Sequence, residues 1–163
     1  KTYNKLSKTY CFIMTEHFIQ QRLWNKYSHN RYKFLNTFFF TNESDFLTVT
    51  DAGYFNEFEI KITKSDFMAD FKKPRHKKML DVFSKVKDHT VANRFWYVVP
   101  DGLQHSIEVP VYAGLMVCMP YGLKEIKAAP LLHSNKHKVE LLFNKMYFAY
   151  ENITRNFLFK NKH

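Results

Sequence analysis

The sequence is poor in residues that punctuate or staple a chain: its 163 residues include two cysteines, four glycines and five prolines. Cys11 and Cys118 are too few and too far apart for a disulfide framework or a paired-cysteine zinc site, so both read as buried thiols. With no Gly/Ser linker, internal repeat or low-complexity stretch, a tethered or repetitive architecture is excluded. No apolar run approaches the roughly 18 residues of a membrane-spanning helix, which excludes a membrane span. The densest aromatic block, Phe38-Phe39-Phe40, ends at Thr41-Asn42-Glu43. The opening Lys1-Thr2-Tyr3-Asn4-Lys5 lacks the apolar core and cleavage site of a secretory signal, which makes the cytoplasm the expected location. Acids are scarce too: 15 Asp and Glu stand against 25 Lys and Arg, a net charge of +10.

What remains is the composition of an ordinary globular protein, 45% hydrophobic and 25% charged, long enough for one substantial core and read as a single domain over residues 1–163. The basic excess suits a polyanionic partner, nucleic acid first. Lys72-Lys73-Pro74-Arg75-His76-Lys77-Lys78 carries five cations and no acid, half of the net positive charge. Further bases stand at Lys136, His137 and Lys138 and in the tail at Arg155, Lys160 and Lys162. Charge alone also describes a solvated, solubilising surface.

Apolar spacing predicts a helix from Tyr10 to about Tyr27, then strands over Tyr32–Phe40, Phe46–Thr50 and Tyr54–Thr63, the last two joined by a tight turn at Asp51-Ala52-Gly53. Thr63-Lys64-Ser65-Asp66 reads as a helix start with Thr63 or Ser65 as cap, and Phe67 and Phe71 follow on one face. Pro74 either interrupts that helix or opens a second through Met79, Leu80, Val82, Phe83 and Val86, with a loop over Asp88–Asn93. Strands Arg94–Val99 and Ala113–Met119 are apolar enough to be covered on both faces, a turn follows at Pro120-Tyr121-Gly122, and a long helix closes the chain from Lys138 to about Phe159. The expected class is α/β, a mixed sheet flanked by helices.

The most informative segment is Tyr54-Phe55-Asn56-Glu57-Phe58-Glu59-Ile60-Lys61-Ile62-Thr63. Period two puts Phe58, Ile60 and Ile62 on one face and Glu57, Glu59 and Lys61 on the other. Ions inside a covered sheet cost several kcal/mol each unless something satisfies them, and a divalent cation would do so. Pairing across the Asp51–Gly53 turn can bring Asp45 beside Glu59. Hard oxygen donors of this kind suit Mg²⁺ or Mn²⁺ together with water and substrate phosphate. Lys61 is spaced to orient a water and to balance charge on a phosphoryl group. Without a metal, the same residues read as a surface hairpin with weak cross-strand ion pairs. Glu57 reads as a supporting or solvent-facing neighbour, and Asp66 as an acid favoured by the helix N-terminus. The chain has no Walker A loop, no Gly-x-Gly-x-x-Gly, no Gly-x-Ser-x-Gly and no His-Glu-x-x-His, while His133 and His137 lack a third ligand and read as a surface pair.

Asp45, a hairpin, then Glu59-Ile60-Lys61 resembles the active site of the PD-(D/E)XK nuclease superfamily, with its restriction-endonuclease-like fold. The continuation through Ser65-Asp66-Phe67, Asp70-Phe71-Lys72-Lys73 and Asn93-Arg94-Phe95-Trp96-Tyr97-Val98-Val99-Pro100 is similar to a bacterial and phage branch of that superfamily. The likeness spans roughly Glu43 to Gly102, with echoes at Tyr112–Leu115 and Ala129–His133. No proline precedes Asp45, where Glu43-Ser44 stands instead, a departure that removes no catalytic atom. The resemblance implies a metal site of Asp45, Glu59 and the Ile60 backbone carbonyl, with Glu16 on the first helix as a further acid, and Lys61 serving the attacking water. Lys72, Lys73, Arg75, Lys77 and Lys78 would then line a groove for the DNA backbone. The expected activity is Mg²⁺- or Mn²⁺-dependent hydrolysis of DNA in repair, recombination or phage DNA metabolism. A homodimer or protein partner would set specificity. The competing expectations are an inactive DNA-binding or protein-interaction module of the same fold, and an RNase.

Overall fold

Thr15 opens the first helix: its hydroxyl accepts the Phe18 N–H at 3.2 Å, and α1 runs Glu16–Lys26 with Ile19 and Leu23 turned inward. The structure is a computed structural model that describes residues 14–30, 32–40, 42–137 and 139–159, so Cys11, the expected helix start at Tyr10 and the basic residues Lys138, Lys160 and Lys162 lie outside the described residues. Three strands follow, β1 (Tyr32–Phe38), β2 (Glu43–Val49) and β3 (Phe55–Ile60). The β2–β3 turn is closed by Gly53 N–H to Thr50 O and Thr50 N–H to Tyr54 O, both at 2.9 Å, with Gly53 at φ +83°, where a side chain would be strained.

Thr63, not Ser65, caps α2 (Lys64–Asp70) by accepting the Asp66 N–H at 3.1 Å. Pro74, at φ −59°, sits at the start of α3 (Arg75–Phe83), where its missing N–H costs nothing. The chain then enters β4 (Arg94–Pro100), β5 (Ala113–Met119), β6 (Gly122–Lys127) and α4 (Val139–Phe159). The strand β6 is not anticipated from sequence, where a turn is followed by no further strand. Its Lys124, Glu125 and Lys127 give a weak apolar pattern, as suits an edge strand that needs only one neighbour.

The six strands lie in the order β1-β2-β3-β4-β5-β6. The outer pairs are antiparallel, whereas β3–β4 and β4–β5 are parallel, so this is a mixed sheet flanked by helices, as the α/β reading requires. One face packs Phe95, Tyr97, Val99, Leu115 and Val117 against Phe67 of α2 and Met79 and Val82 of α3. The other packs Phe46, Phe58, Ile60, Trp96, Val98, Met116 and the buried thiol Cys118 under Ile19 and Leu23 of α1. No helix among the described residues is long and apolar enough to cross a membrane.

Where β4 and β5 run side by side, Gly114 lies opposite Trp96, and a Cβ there would come within 2.7 Å of Trp96 Cζ3 and of the Ala129 nitrogen. Gly114→Ala is therefore expected to cost about 1–3 kcal/mol in urea unfolding. Gly122→Ala, with nothing within 4 Å, should shift stability by less than about 0.5 kcal/mol.

Candidate active site

Alternation along β3 is realised as the sequence implies. Phe58 and Ile60 pack under α1, while Glu57, Glu59 and Lys61 face α2 and α3. The β2–β3 register pairs Phe46 with Phe58, which carries Asp45 to the position across from Glu59, and the ladder stops there. Lys61 N–H turns toward β4 and meets Val98 O at 3.0 Å, so the Ile60 N–H points back toward β2. No β2 carbonyl receives it. The Asp45 carboxylate does, at 2.6 Å, and so replaces a rung of the ladder where the two strands part. From above, Gln20 of α1 donates to the Asp45 backbone carbonyl at 3.1 Å and to Asn36 Oδ1 at 2.8 Å, which ties α1 to the same spot.

The electrostatics record how close these acids are. Burial, then the charge of Glu59, raise the Asp45 carboxyl to about 7 against the pull of the Ile60 N–H, with Glu16 adding to the rise and Lys61 opposing it. Asp45, Glu59, Lys61 and Glu16 thus share one field. Glu16 itself is exposed, and its carboxylate meets Gln20 at 3.4 Å.

Glu59 and Asp70 anchor a buried ionic cluster. Glu59 Oε1 receives Lys61 Nζ at 2.8 Å, Lys73 Nζ at 2.9 Å and Arg75 Nη2 at 2.8 Å. Asp70 is fully buried. It accepts Arg75 Nη2 on both oxygens at 2.9 Å, Lys73 at 2.7 Å, and His76 Nε2 and the Tyr97 hydroxyl at 2.9 Å each, while His76 Nδ1 meets the Tyr112 hydroxyl at 2.9 Å. Burial alone would raise the Asp70 carboxyl, but the His76 hydrogen bond and the charges of Arg75, Lys73 and Lys61 hold it well below the usual carboxylate range. Burial likewise pulls Lys61 down, and Glu59, Asp70 and Asp66 more than reverse it, so Lys61 stays protonated. Glu57, behind them, is raised to about 7 by burial despite Arg75 and a 2.9 Å hydrogen bond from Ser44, with Glu59 and Asp70 adding to the rise. One oxygen of Glu57 and one of Glu59 are buried with no hydrogen-bond partner.

The structure therefore gathers Asp45, Glu59, Ile60 and Lys61, with Glu16 alongside, and it corrects the reading of the basic run. Arg75, expected to face a phosphate backbone, is 1% exposed and locked to Asp70 and Glu59. Lys73 also turns inward onto those two carboxylates. Lys77 is exposed but paired with Asp81 at 3.0 Å, Lys72 is exposed, and Lys78 is half-buried. Glu57, one of whose two readings was solvent-facing, is buried. Asp66 lies in the first turn of α2, as expected, and also 3.7 Å from Lys61. His133 and His137 are half-buried rather than a surface pair: the Nε2 of each meets Val91 O, at 2.9 and 3.1 Å. Sequence reasoning gives no role to Asp70. Its signal was position, an acid between Phe67 and Phe71 on the apolar face of α2. Among the described residues, no group of three or more His, Cys, Asp or Glu side chains is placed to hold a metal.

No family model matches the chain, and no curated protein does. The backbone is similar to the solved structure of a protein of unknown function from Silicibacter pomeroyi, with a TM-score of 0.59 and 15% identity over 89% of each chain. At that identity the likeness is one of fold.

Two stability measurements check this description. Removing the guanidinium by Arg75→Met leaves Glu57, Glu59 and Asp70 short of a cation, and urea unfolding at neutral pH is expected to lose about 3–5 kcal/mol. Asp45→Asn should act in the opposite sense. Because the folded pKa of Asp45 is about 7, above its unfolded value, the folded state holds the extra proton between the two and native stability falls as pH rises through that window. The asparagine variant should therefore melt higher than the native protein at about pH 8, and the gap should shrink as pH falls and close near about pH 4, the unfolded carboxyl value.

Proposed function

We propose that this chain is a divalent-metal-dependent nuclease that hydrolyses DNA phosphodiester bonds, as its resemblance to the PD-(D/E)XK superfamily implies. The observation that carries the reading is the Asp45 carboxylate 2.6 Å from the Ile60 N–H, one residue past Phe46–Phe58 at the end of the β2–β3 ladder and so beside Glu59, with the Lys61 ammonium 2.8 Å from Glu59. The residues fit Mg²⁺ or Mn²⁺. All the donors are hard oxygens, Glu59 keeps a buried oxygen without a partner, and Asp45 bears like-charge repulsion that a cation would relieve. Asp45 and Glu59 would hold the ion with the Ile60 carbonyl, and water and phosphate would complete it. Such an ion, when bound, supplies Lewis acidity toward a phosphoryl oxygen and lowers the pKa of water.

The remaining chemistry belongs to the protein. Lys61, held cationic, orients the attacking water by hydrogen bonding and offsets negative charge developing on the phosphorus oxygens, and it does not accept a proton. The proton from the water leaves to solvent or to a substrate phosphate oxygen. Asp70 and Arg75 fix the geometry of Glu59 and Lys61 from below. Lys72 and Lys78, and Lys77 when it parts from Asp81, are the cations of the basic run that would meet a phosphate backbone, on a chain of net charge +10.

A second reading has its own observation. Glu59 Oε1 already contacts three cations, so the cluster also makes sense as a structural core in an inactive nucleic-acid-binding module. Calorimetric titration with Mn²⁺ and cleavage of duplex and single-stranded DNA, with RNA alongside, separate the readings. The nuclease reading expects metal binding at a single site, DNA cutting abolished by EDTA, and loss of at least about 100-fold in rate for Lys61→Ala and Asp45→Asn with the fold intact. Equal cutting by these variants would overturn it. Cutting and Mn²⁺ affinity should both rise through pH 7, because Asp45 must lose its proton to bind a cation.

A further inference from the structure

Among the described residues, α4 leaves a long apolar face without a partner. Its 21 residues span about 31 Å. Leu142 joins the core formed with Leu47, Val49, Phe55 and Ala92, yet Phe143, Met146, Tyr147, Tyr150 and Ile153 are 43–69% exposed.

The spacing of that face is specific. Positions 139, 143, 146, 150, 153 and 157 are apolar and separated by four, three, four, three and four residues, a strict period of 3.5. Docking a straight helix on a sheet calls for 3.6, and a 3.5 repeat drifts by about 20° per heptad unless two helices wind around each other. An unbroken run of such positions suits the seam of a two-stranded coiled coil.

Charge selects the occupant. From Phe143 onward the seam is flanked at 147, 149, 154 and 156 by Tyr, Ala, Thr and Asn, none of them charged, and Glu140, beside position 139, is the one charged flank. The charges on α4 cancel, with Glu140 and Glu151 against Lys145 and Arg155, and Glu151 pairs with Arg155 within the helix at 2.8 Å. A helix lying on an anionic membrane or on nucleic acid would show a polar face rich in Lys and Arg, which this one lacks. On a chain carrying +10, α4 is a face of no net charge, where a second copy would meet the least repulsion. From the size of aromatic and aliphatic side chains, the five exposed residues offer roughly 600 Å² of apolar surface per copy, hence about 1,200 Å² for a pair, at the threshold of stable interfaces.

We propose that α4 pairs with α4 of a second copy of this chain through the seam Phe143, Met146, Tyr150 and Ile153. Phe148 is 58% exposed but lies off the seam and serves as the control for general stickiness. Sedimentation velocity on the full chain at concentrations up to about 100 μM, with salt varied, is expected to give twice the mass of one chain. Tyr150→Glu and Ile153→Glu, singly, should give a monomer whose body keeps its thermal midpoint and its near-ultraviolet signal from buried Trp96, while Phe148→Glu stays dimeric. A monomeric native protein at the highest concentration would overturn the proposal. So would a dimer that survives both seam variants, equal dissociation by Phe148→Glu, or binding of the native protein to anionic vesicles that the seam variants abolish. None of these readouts depends on metal or on cleavage.

Discussion

The fold is organised around a constraint that few small domains accept, the burial of Glu57, Glu59 and Asp70 among apolar strands and helices. Such groups are expensive to take out of water unless cations come with them. Here the cations arrive on the crossover that covers the same face of the sheet: Lys73 between the helices and Arg75 at the start of α3. The helices α2 and α3 are thus positioned twice, once by Phe67, Met79 and Val82 in the core and once by the reach of an ammonium and a guanidinium. A buried ion cluster is a weak source of net stability, since apolar residues of equal volume often do as well or better. What it provides is direction, because a guanidinium that bonds both oxygens of Asp70 and also touches Glu59 leaves those carboxylates little freedom to turn.

Asp45 stands outside this arrangement. Among the described residues it has no cation of its own within ion-pair distance, and it instead borrows a backbone N–H from Ile60, while Glu59 and Glu16 press on its charge. Titratable groups held against their preferred state are common at functional sites and occur in structural ion networks as well, and here two neighbouring carboxylates stand in opposite conditions, Glu59 richly paired and Asp45 strained.

Local rules made much of this legible. The alternation from Phe55 to Lys61 fixed which side chains share a face, and the short turn at Asp51-Gly53 fixed the register that sets Asp45 across from Glu59, because a hairpin transmits register over only a few residues. The basic run was harder to read, because charge density carries no direction. The helical spacing of Arg75 with Met79 and Val82 marks Arg75 as inward, but that cue conflicts with the expectation that arginine seeks water, and the buried carboxylates that resolve the conflict lie 5 to 18 residues away in sequence. Asp70 was hidden for the same reason, as a polar residue on an apolar helix face whose partners come from β4 and α3. The edge strand β6 escaped because its alternating charges satisfy solvent on a surface that pairs with β5 alone.

The strand order carries a consequence for assembly. Since β1, β2 and β3 form a meander closed by short loops, they can pair early at little entropic cost, whereas β4 must return across the long α2–α3 excursion before it can lie parallel to β3. Without that crossover, Glu57, Glu59 and Lys61 would lie on a ribbon face open to water. The segment that covers them is the one that carries Lys73 and Arg75, so cover and counterions come in a single piece of chain and no carboxylate has to enter the dry interior alone.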